Sequence, residues 1–197
     1  MITLHTWTTP NGRKISIMLE ELGIPYLIKT VNLIQGEQFS PAYQAISPTN
    51  KIPVLSDSGI DGRTITVFES GAILQYLAEK TGQLLPDHGA DRYQVLEWLH
   101  WQTASLGPVL SQLVAESTNT HLADEADRLL GVMDRQLTRY TYMANEEYSI
   151  ADIACYPWVA ALRHAPALGS RPHLRRWINT LSSRAAVQRG MALPRLN

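Results

Sequence analysis

The chain has 197 residues, enough for one large domain or two small ones. Its hydrophobic fraction of 45% is that of an ordinary globular protein, and a net charge of −1 removes the broad basic field expected of a nucleic-acid or anionic-membrane binder. A lone cysteine, Cys155, excludes an internal disulfide, no apolar run reaches membrane-span length, and the first residues lack a signal-peptide layout, so a cytoplasmic protein with no membrane partner is expected.

Residues 2–6 read as a short strand. The run 13–22 carries Ile15, Met18, Leu19 and Leu22 at helical spacing. Thr9 is a natural N-cap, Pro10 suits the first helical position, and Gly23 followed by Pro25 stops the helix. Residues 26–33 mix β-branched and apolar side chains and predict a second strand. A polar connection over 35–50 leads to a strand at 52–57, a turn at Ser58-Gly59-Ile60-Asp61-Gly62 and a strand at 64–68, a hairpin pattern. Glu69-Ser70-Gly71 opens a helix through Lys80 that ends at Thr81-Gly82. The order is β-α-β, connection, β-β-α. With the first two strands parallel across a right-handed crossover, it predicts a thioredoxin-like α/β domain over residues 1–82.

Residues 83–90 read as a linker, and strand signals then vanish. Residues 93–114 carry Leu96, Leu99, Leu106, Val109, Leu110 and Leu113 at mixed helical spacings, and 126–137 is a second helix candidate. Ser149 begins a third. It can accept from the N–H of Asp152 while Asp152 answers back, with Tyr148 and Ile153 placed for a hydrophobic staple. Residues 175–183 form a further helix candidate, so an all-α bundle is expected over 91–197.

Three segments carry chemistry-bearing residues. Thr9-Pro10-Asn11-Gly12 reads either as a cap and turn or as a place where N–H, hydroxyl and amide groups meet an anion, such as a thiolate brought by a ligand. In that second reading Gly12 lets the ligand approach the backbone closely. Pro53 in Lys51-Ile52-Pro53-Val54 is either a trans proline entering a strand or a cis bond. A cis bond would turn the Ile52 N–H and C=O outward to pair with an extended peptide. Glu69 and Ser70 either cap a helix or hold the ammonium and carboxylate of an amino acid. In combination the three describe a γ-glutamyl tripeptide thiol. Elsewhere, Cys155 in a helical run reads as a packed structural residue. His5, His88, His100, His121, His164 and His173 show no metal-ligand spacing. Trp98 and Trp101 suit a core or subunit interface better than a platform for nucleic-acid bases.

The chain resembles the glutathione transferases. Its Thr8-Thr9-Pro10-Asn11-Gly12 turn is similar to that of the nu class, which includes bacterial disulfide-bond reductases and relatives of the yeast nitrogen-regulation prion protein. Gly36-Glu37-Gln38-Phe39-Ser40-Pro41, Ile46-Ser47-Pro48-Thr49-Asn50-Lys51-Ile52-Pro53 and Tyr148-Ser149-Ile150-Ala151-Asp152-Ile153-Ala154 also match. The resemblance implies that Thr9 and Asn11 hold the glutathione sulfur, and that Gln38 reaches the glycyl end. It implies that Ile52, between Lys51 and Pro53, pairs through its backbone, and that Glu69 and Ser70 hold the γ-glutamyl group. It further implies that Arg128 faces the site from the helical domain. The activity implied is that of a transferase or disulfide reductase, homodimeric and without a metal, using glutathione as cosubstrate on a small electrophile or disulfide. The alternative is a non-catalytic binding or regulatory protein of the same fold. One departure favours it: nu-class relatives have a longer segment where this chain has only Glu116-Ser117-Thr118-Asn119-Thr120-His121, a shortening between about 115 and 126.

Overall fold

The computed structural model describes residues 1–59, 63–162 and 168–195. Their contacts divide them into two units: residues 1–81 joined by the stretch from Ala185 onward, and residues 82–184.

In the first unit, β1 (Ile2–Thr6), α1 (Pro10–Leu22), β2 (Tyr26–Thr30), β3 (Val54–Ser58), β4 (Thr64–Phe68) and α3 (Ser70–Thr81) follow the expected order. The connection before β3 also holds a 3₁₀ turn (Glu37–Phe39) and a short α2 (Pro41–Gln44). The four-stranded sheet is ordered β2-β1-β3-β4, with β1 and β2 parallel and the other pairs antiparallel. Alternation buries Ile2, Leu4 and Thr6 of β1, and Ile15, Ile17, Met18 and Leu19 of α1 are buried too. The ends of α1 follow their local chemistry. Thr9 Oγ1 accepts from Gly12 N at 3.2 Å, Pro10 takes the first turn, and Gly23 at φ 64° caps the C-terminus.

The stretch between α1 and β4 differs in places from the sequence reading, and β3 begins at Val54 rather than at 52. β2 stops at Thr30 because Asn32 Oδ1 accepts from the N–H of Ile34 (3.0 Å) and Gln35 (3.2 Å), folding the chain into a side-chain-capped turn. The polar connection is not irregular throughout, since Ser40 caps α2 by accepting from Tyr43 N, with Pro41 in its first turn. The tip of the expected turn, Ile60 to Gly62, lies outside the described residues. So does His164.

The second unit is helical: α4 (Gly89–Trp101), α5 (Gly107–Ala115), α6 (Thr120–Leu137), α7 (Ile150–Ala160) and α8 (Pro172–Ser182). The mixed apolar spacing of residues 93–114 has a physical source. α4 runs into α5 through a π-helical turn, Gln102–Leu106, closed by Gly107 N donating to Gln102 O. Pro108 has no N–H for the carbonyl of Ala104, so the ordinary ladder fails there and the apolar stripe changes phase. α6 starts before the predicted 126, because Asn119 Oδ1 accepts from Leu122 N at 3.2 Å; only Glu116 to Asn119 separate it from α5. Ser149 and Asp152 form the expected capping box. The buried Asp152 carboxylate also accepts from Met143 N (2.9 Å) and Trp177 Nε1 (2.8 Å), which ties α7 to α8. Cys155 is fully buried. Trp98 and Trp101 are half-buried and meet edge to face at 5.1 Å. No described helix is long and apolar enough to cross a membrane.

The last helix, α9 (Ala185–Met191), belongs to the first unit rather than to the helical domain in which the sequence reading placed it. It packs on α1 at backbone contact. A Cβ on Gly190 would lie 2.5 Å from Ile17 N and Cα, and Ser16 Oγ donates to Gly190 O at 2.7 Å. Beside this contact Glu20 accepts from both Tyr26 and Arg189. Gly190→Ala is expected to destabilise the protein by about 1–3 kcal/mol, read as a fall in urea midpoint at unchanged m-value.

Asp57, buried on β3, joins the sheet to α3 by accepting from Tyr76 Oη (2.8 Å) and Lys80 Nζ (2.7 Å). Burial alone would raise this carboxyl, but its bonds to Lys80 and Tyr76 outweigh that and hold it below the usual carboxylate range. A depressed carboxyl stabilises the fold above its unfolded value near pH ~3.9, and that contribution disappears as pH falls through the folded value. Asp57→Asn is therefore expected to cost about 1–2 kcal/mol at pH 7, with Lys80 half in solvent, and progressively less as pH falls below about 3.9; a denaturation series across that range checks it.

Candidate functional site

Strand register decides what lies at the site. His5 pairs with Val54, Val54 pairs with Phe68, and Thr6 pairs with Thr30. The exits of β1, β2 and β4 and the entry of β3 therefore share one end of the sheet. Thr9 and Asn11, Lys51 to Pro53, and Glu69 with Ser70 all lie in the segments leaving that end, and Gln38 lies in the connection between the exit of β2 and the entry of β3.

At the first segment, Thr9 Oγ1 accepts from Gly12 N, which leaves the hydroxyl hydrogen to donate outward. Asn11 is half-buried in the first turn of α1. Gly12 does not serve the close ligand approach expected of it. A Cβ there would collide with Thr6 Oγ1 and would stand 2.5 Å from Trp7 O, so its missing side chain makes room for the chain's own turn.

At the second segment the Ile52–Pro53 bond is cis, Pro53 is buried and Ile52 is half-buried. No backbone hydrogen bond joins Ile52 to another described residue. The approach to it is braced. Tyr43 Oη and Ser47 Oγ both donate to Lys51 O at 2.9 Å, and Lys51 N donates to Ser47 Oγ at 3.2 Å. Burial pushes the Tyr43 phenol up to about 12, so it stays a donor at any ordinary pH. The amide oxygens of Gln38 and Asn50 are buried without a partner, and Asn50 stands at φ 54°.

At the third segment Glu69 adopts φ 70°, a left-handed conformation that costs a non-glycine residue on the order of 1–2 kcal/mol. Its carboxylate is exposed and pairs with no described residue. Ser70 begins α3, whose first turn contains no acidic residue. Sequence reasoning missed the neighbour that holds it. Lys14 of α1 is 1% exposed, and its Nζ donates to Ser70 Oγ at 3.2 Å. The signal was present, because Lys14 shares its helical face with Ile15 and Met18, a core position for a charged residue.

Arg128 lies in the second unit, on α6. It is exposed and makes a two-pronged bond to Glu125, Nε at 2.6 Å and Nη2 at 2.7 Å. Asp127, its neighbour in sequence, pairs instead with Arg171 at 2.7 Å. No group of three His, Cys, Asp or Glu poised to hold a metal occurs among the described residues.

Known proteins are similar to this chain along almost all of its length. The family profile for the glutathione S-transferase N-terminal domain matches residues 8–80, and that for the C-terminal domain matches residues 102–185. The disulfide-bond oxidoreductase YfcG of Escherichia coli K12 is 42% identical over 205 residues, spanning 98% of this chain and 94% of that protein. A glutathione transferase family member from Pseudomonas fluorescens, solved with two glutathione bound, superposes with a TM-score of 0.92 at 37% identity, covering 98% of this chain and 93% of that one. A glutathione transferase from Pseudomonas putida, solved with one glutathione disulfide per subunit, gives 0.91 at 41%, covering 98% and 91%. Matched in order through both halves and closely related to YfcG along almost all of its length, the chain belongs to the glutathione S-transferase family.

Proposed function

We propose that this protein is a glutathione-dependent enzyme, a disulfide-bond reductase or transferase, whose N-terminal unit holds glutathione at the shared end of its sheet. The observation that carries the reading is the register that places Thr9, Ile52 and Glu69-Ser70 at one end. In the proposed pose Thr9 and Asn11 face the sulfur, and the Ile52 backbone pairs with the cysteinyl residue behind the buried Pro53. Gln38 and Lys51 lie toward the glycyl end, and Glu69 and Ser70 take the ammonium and carboxylate of the γ-glutamyl group. Arg128 is counted with these residues on the resemblance alone, and it keeps N–H donors beyond the two that Glu125 occupies. Assembly as a homodimer in the cytoplasm, with no metal, completes the proposal.

The chemistry needs only donors. A free thiol titrates near pH ~8.5, so lowering it by about two units takes roughly 2.7 kcal/mol of selective thiolate stabilisation. A charge-assisted hydrogen bond contributes about 1.5–3 kcal/mol and a helix N-terminus about 0.3–1. The outward Thr9 hydroxyl, the Asn11 amide and the start of α1 cover that sum. The thiolate then attacks an electrophilic carbon and displaces its leaving group, or attacks a disulfide sulfur and expels the other sulfur as thiolate. In the second case a second glutathione thiolate resolves the mixed disulfide, leaving glutathione disulfide and a reduced product. Both electrons come from glutathione, since Cys155 is buried in α7 and unavailable for exchange. The name of YfcG and the two glutathione in the Pseudomonas fluorescens structure favour the disulfide branch.

Bound glutathione is expected to titrate about two units below the free thiol, measured by thiolate absorbance; Asn11→Ala or Thr9→Val should return much of that shift and slow turnover roughly 10–100-fold with glutathione affinity changed little. Assays with hydroxyethyl disulfide, an aryl halide and an organic peroxide rank the branches, with hydroxyethyl disulfide expected to turn over fastest. A second reading rests on the four-residue link Glu116 to Asn119, which leaves little chain to build a second-substrate wall. If the protein binds glutathione yet turns over none of these substrates, the non-catalytic binding role replaces the enzyme.

A further inference from the structure

We infer that the cleft between the outer face of the sheet and α2 is a second binding site, separate from the glutathione end of the sheet, for a small hydroxylated aromatic carboxylate. The cleft has a volume of about 680 Å³ and lies wholly within the first unit. Strand pairing builds its floor. Lys29, His5 and Val54 form one cross-strand row, and Leu27, Thr3 and Ser56 form the next row on the same face. Leu4 and Leu55, the alternate residues, are fully buried on the opposite face. α2 spans only Pro41–Gln44, and its Tyr43 packs on Val31 and Val54, while Thr3 and Ser56 stay half-buried along the cleft. Thr9, Asn11, Ile52 and Glu69 do not line it.

Floor and roof differ in how their polar groups are satisfied. On the roof, Ser40 Oγ accepts from Tyr43 N, and Tyr43 Oη donates to Lys51 O. Glu37, the acid in the lining, accepts from Asn32 N at 2.7 Å. The roof therefore offers mainly the hydrocarbon of Ala42, Ile46 and the Tyr43 ring. On the floor, the hydroxyls of Thr3 and Ser56, the His5 ring and the Lys29 ammonium make no hydrogen bond or ion pair with a described residue. Half-buried polar groups usually find partners within the protein, so a row of them left open in a concave wall points to a ligand. Burial and the charge of Lys29 lower the His5 pKa, so at pH 7 the imidazole is neutral and offers one donor and one acceptor. The complementary molecule has three parts: an anion for Lys29, hydroxyl groups for Thr3, His5 and Ser56, and a flat hydrocarbon body for the roof. A single lysine with Glu37 nearby suits a monoanionic carboxylate better than a phosphate dianion.

The probe is 4-hydroxybenzoate, with benzoate and 4-hydroxybenzamide as comparators, titrated calorimetrically into the full-length protein with and without saturating glutathione. One molecule per chain is expected to bind with a Kd below about 1 mM, unchanged by glutathione. The neutral amide should bind about 10-fold more weakly or worse, and benzoate about threefold more weakly or worse. Lys29→Gln should weaken 4-hydroxybenzoate about 10-fold and leave the amide unchanged, and Thr3→Val with Ser56→Ala should erase the preference over benzoate. The exposed Lys29 and the shape-conserving Thr3→Val keep the fold out of the comparison. The backbone amide resonances of Thr3, Val31 and Ser56 in the wild type should shift on saturation, a readout that needs no variant. Absence of saturable binding up to about 10 mM overturns the inference, as does displacement by glutathione. Equal affinity in Lys29→Gln, or resonance shifts confined to other parts of the chain, also overturns it.

Discussion

The site depends on β3 being held in one register between β1 and β4. Val54 faces His5 on one side and Phe68 on the other, and buried Val54 and Leu55 allow no slip without turning core side chains to solvent. That single alignment brings the turn before α1, the loop before Pro53 and the start of α3 to one end of the sheet. Asp57, at the other end of β3, ties the strand to Tyr76 and Lys80 of α3, so the helix that starts at the site is anchored through its last turns. A small set of ordinary packing and pairing constraints thus brings donors together from three distant stretches of sequence.

A second theme runs through these donors. Thr9 and Ser70 each have the oxygen of their hydroxyl occupied by the protein, Thr9 by Gly12 N and Ser70 by Lys14. A hydroxyl free to rotate can offer either its hydrogen or its lone pairs. One whose lone pair is already engaged offers its hydrogen, and it presents that donor to solvent or ligand without reorganisation. The left-handed Glu69 between β4 and α3 shows the accompanying cost, since a strained backbone at this junction has no packing purpose for an exposed side chain. Thr9 and Ser70 thus each have one side of the hydroxyl committed within the protein, while the Glu69 carboxylate stands exposed.

How much of this was readable from the sequence follows from the range of each signal. Caps and stops act within four residues, so Thr9-Pro10, Gly23 and Ser149 with Asp152 announced themselves, and the pairing of β3 with β4 followed from two strand-like runs separated by a glycine-containing turn sequence. α2 also had its local cue in Ser40-Pro41, hidden by the polarity of the surrounding connection. The π-helical turn was visible only as disorder in the apolar spacing, because a phase change resembles noise until Pro108 is recognised as its cause. Lys14 and α9 were beyond local reading. A lysine on an apolar face has meaning only once Ser70 arrives from 56 positions away, and Gly190 only once Ile17 lies against it. The three loop segments themselves were legible as separate pieces; their meeting place was set by strand pairing, which no short motif encodes.

The docking of α9 against α1 bears on how the protein is made. The first unit is discontinuous, and all of residues 82–184 are synthesised before the helix that closes it. On a ribosome, the sheet with α1 and α3 can emerge and collapse early, but the face of α1 around Ser16 and Ile17 stays open to water or to a chaperone until Gly190 has left the exit tunnel. Completion of the first unit thus waits on translation of nearly the whole chain, and fragments that stop after the helical bundle leave that face of α1 uncovered.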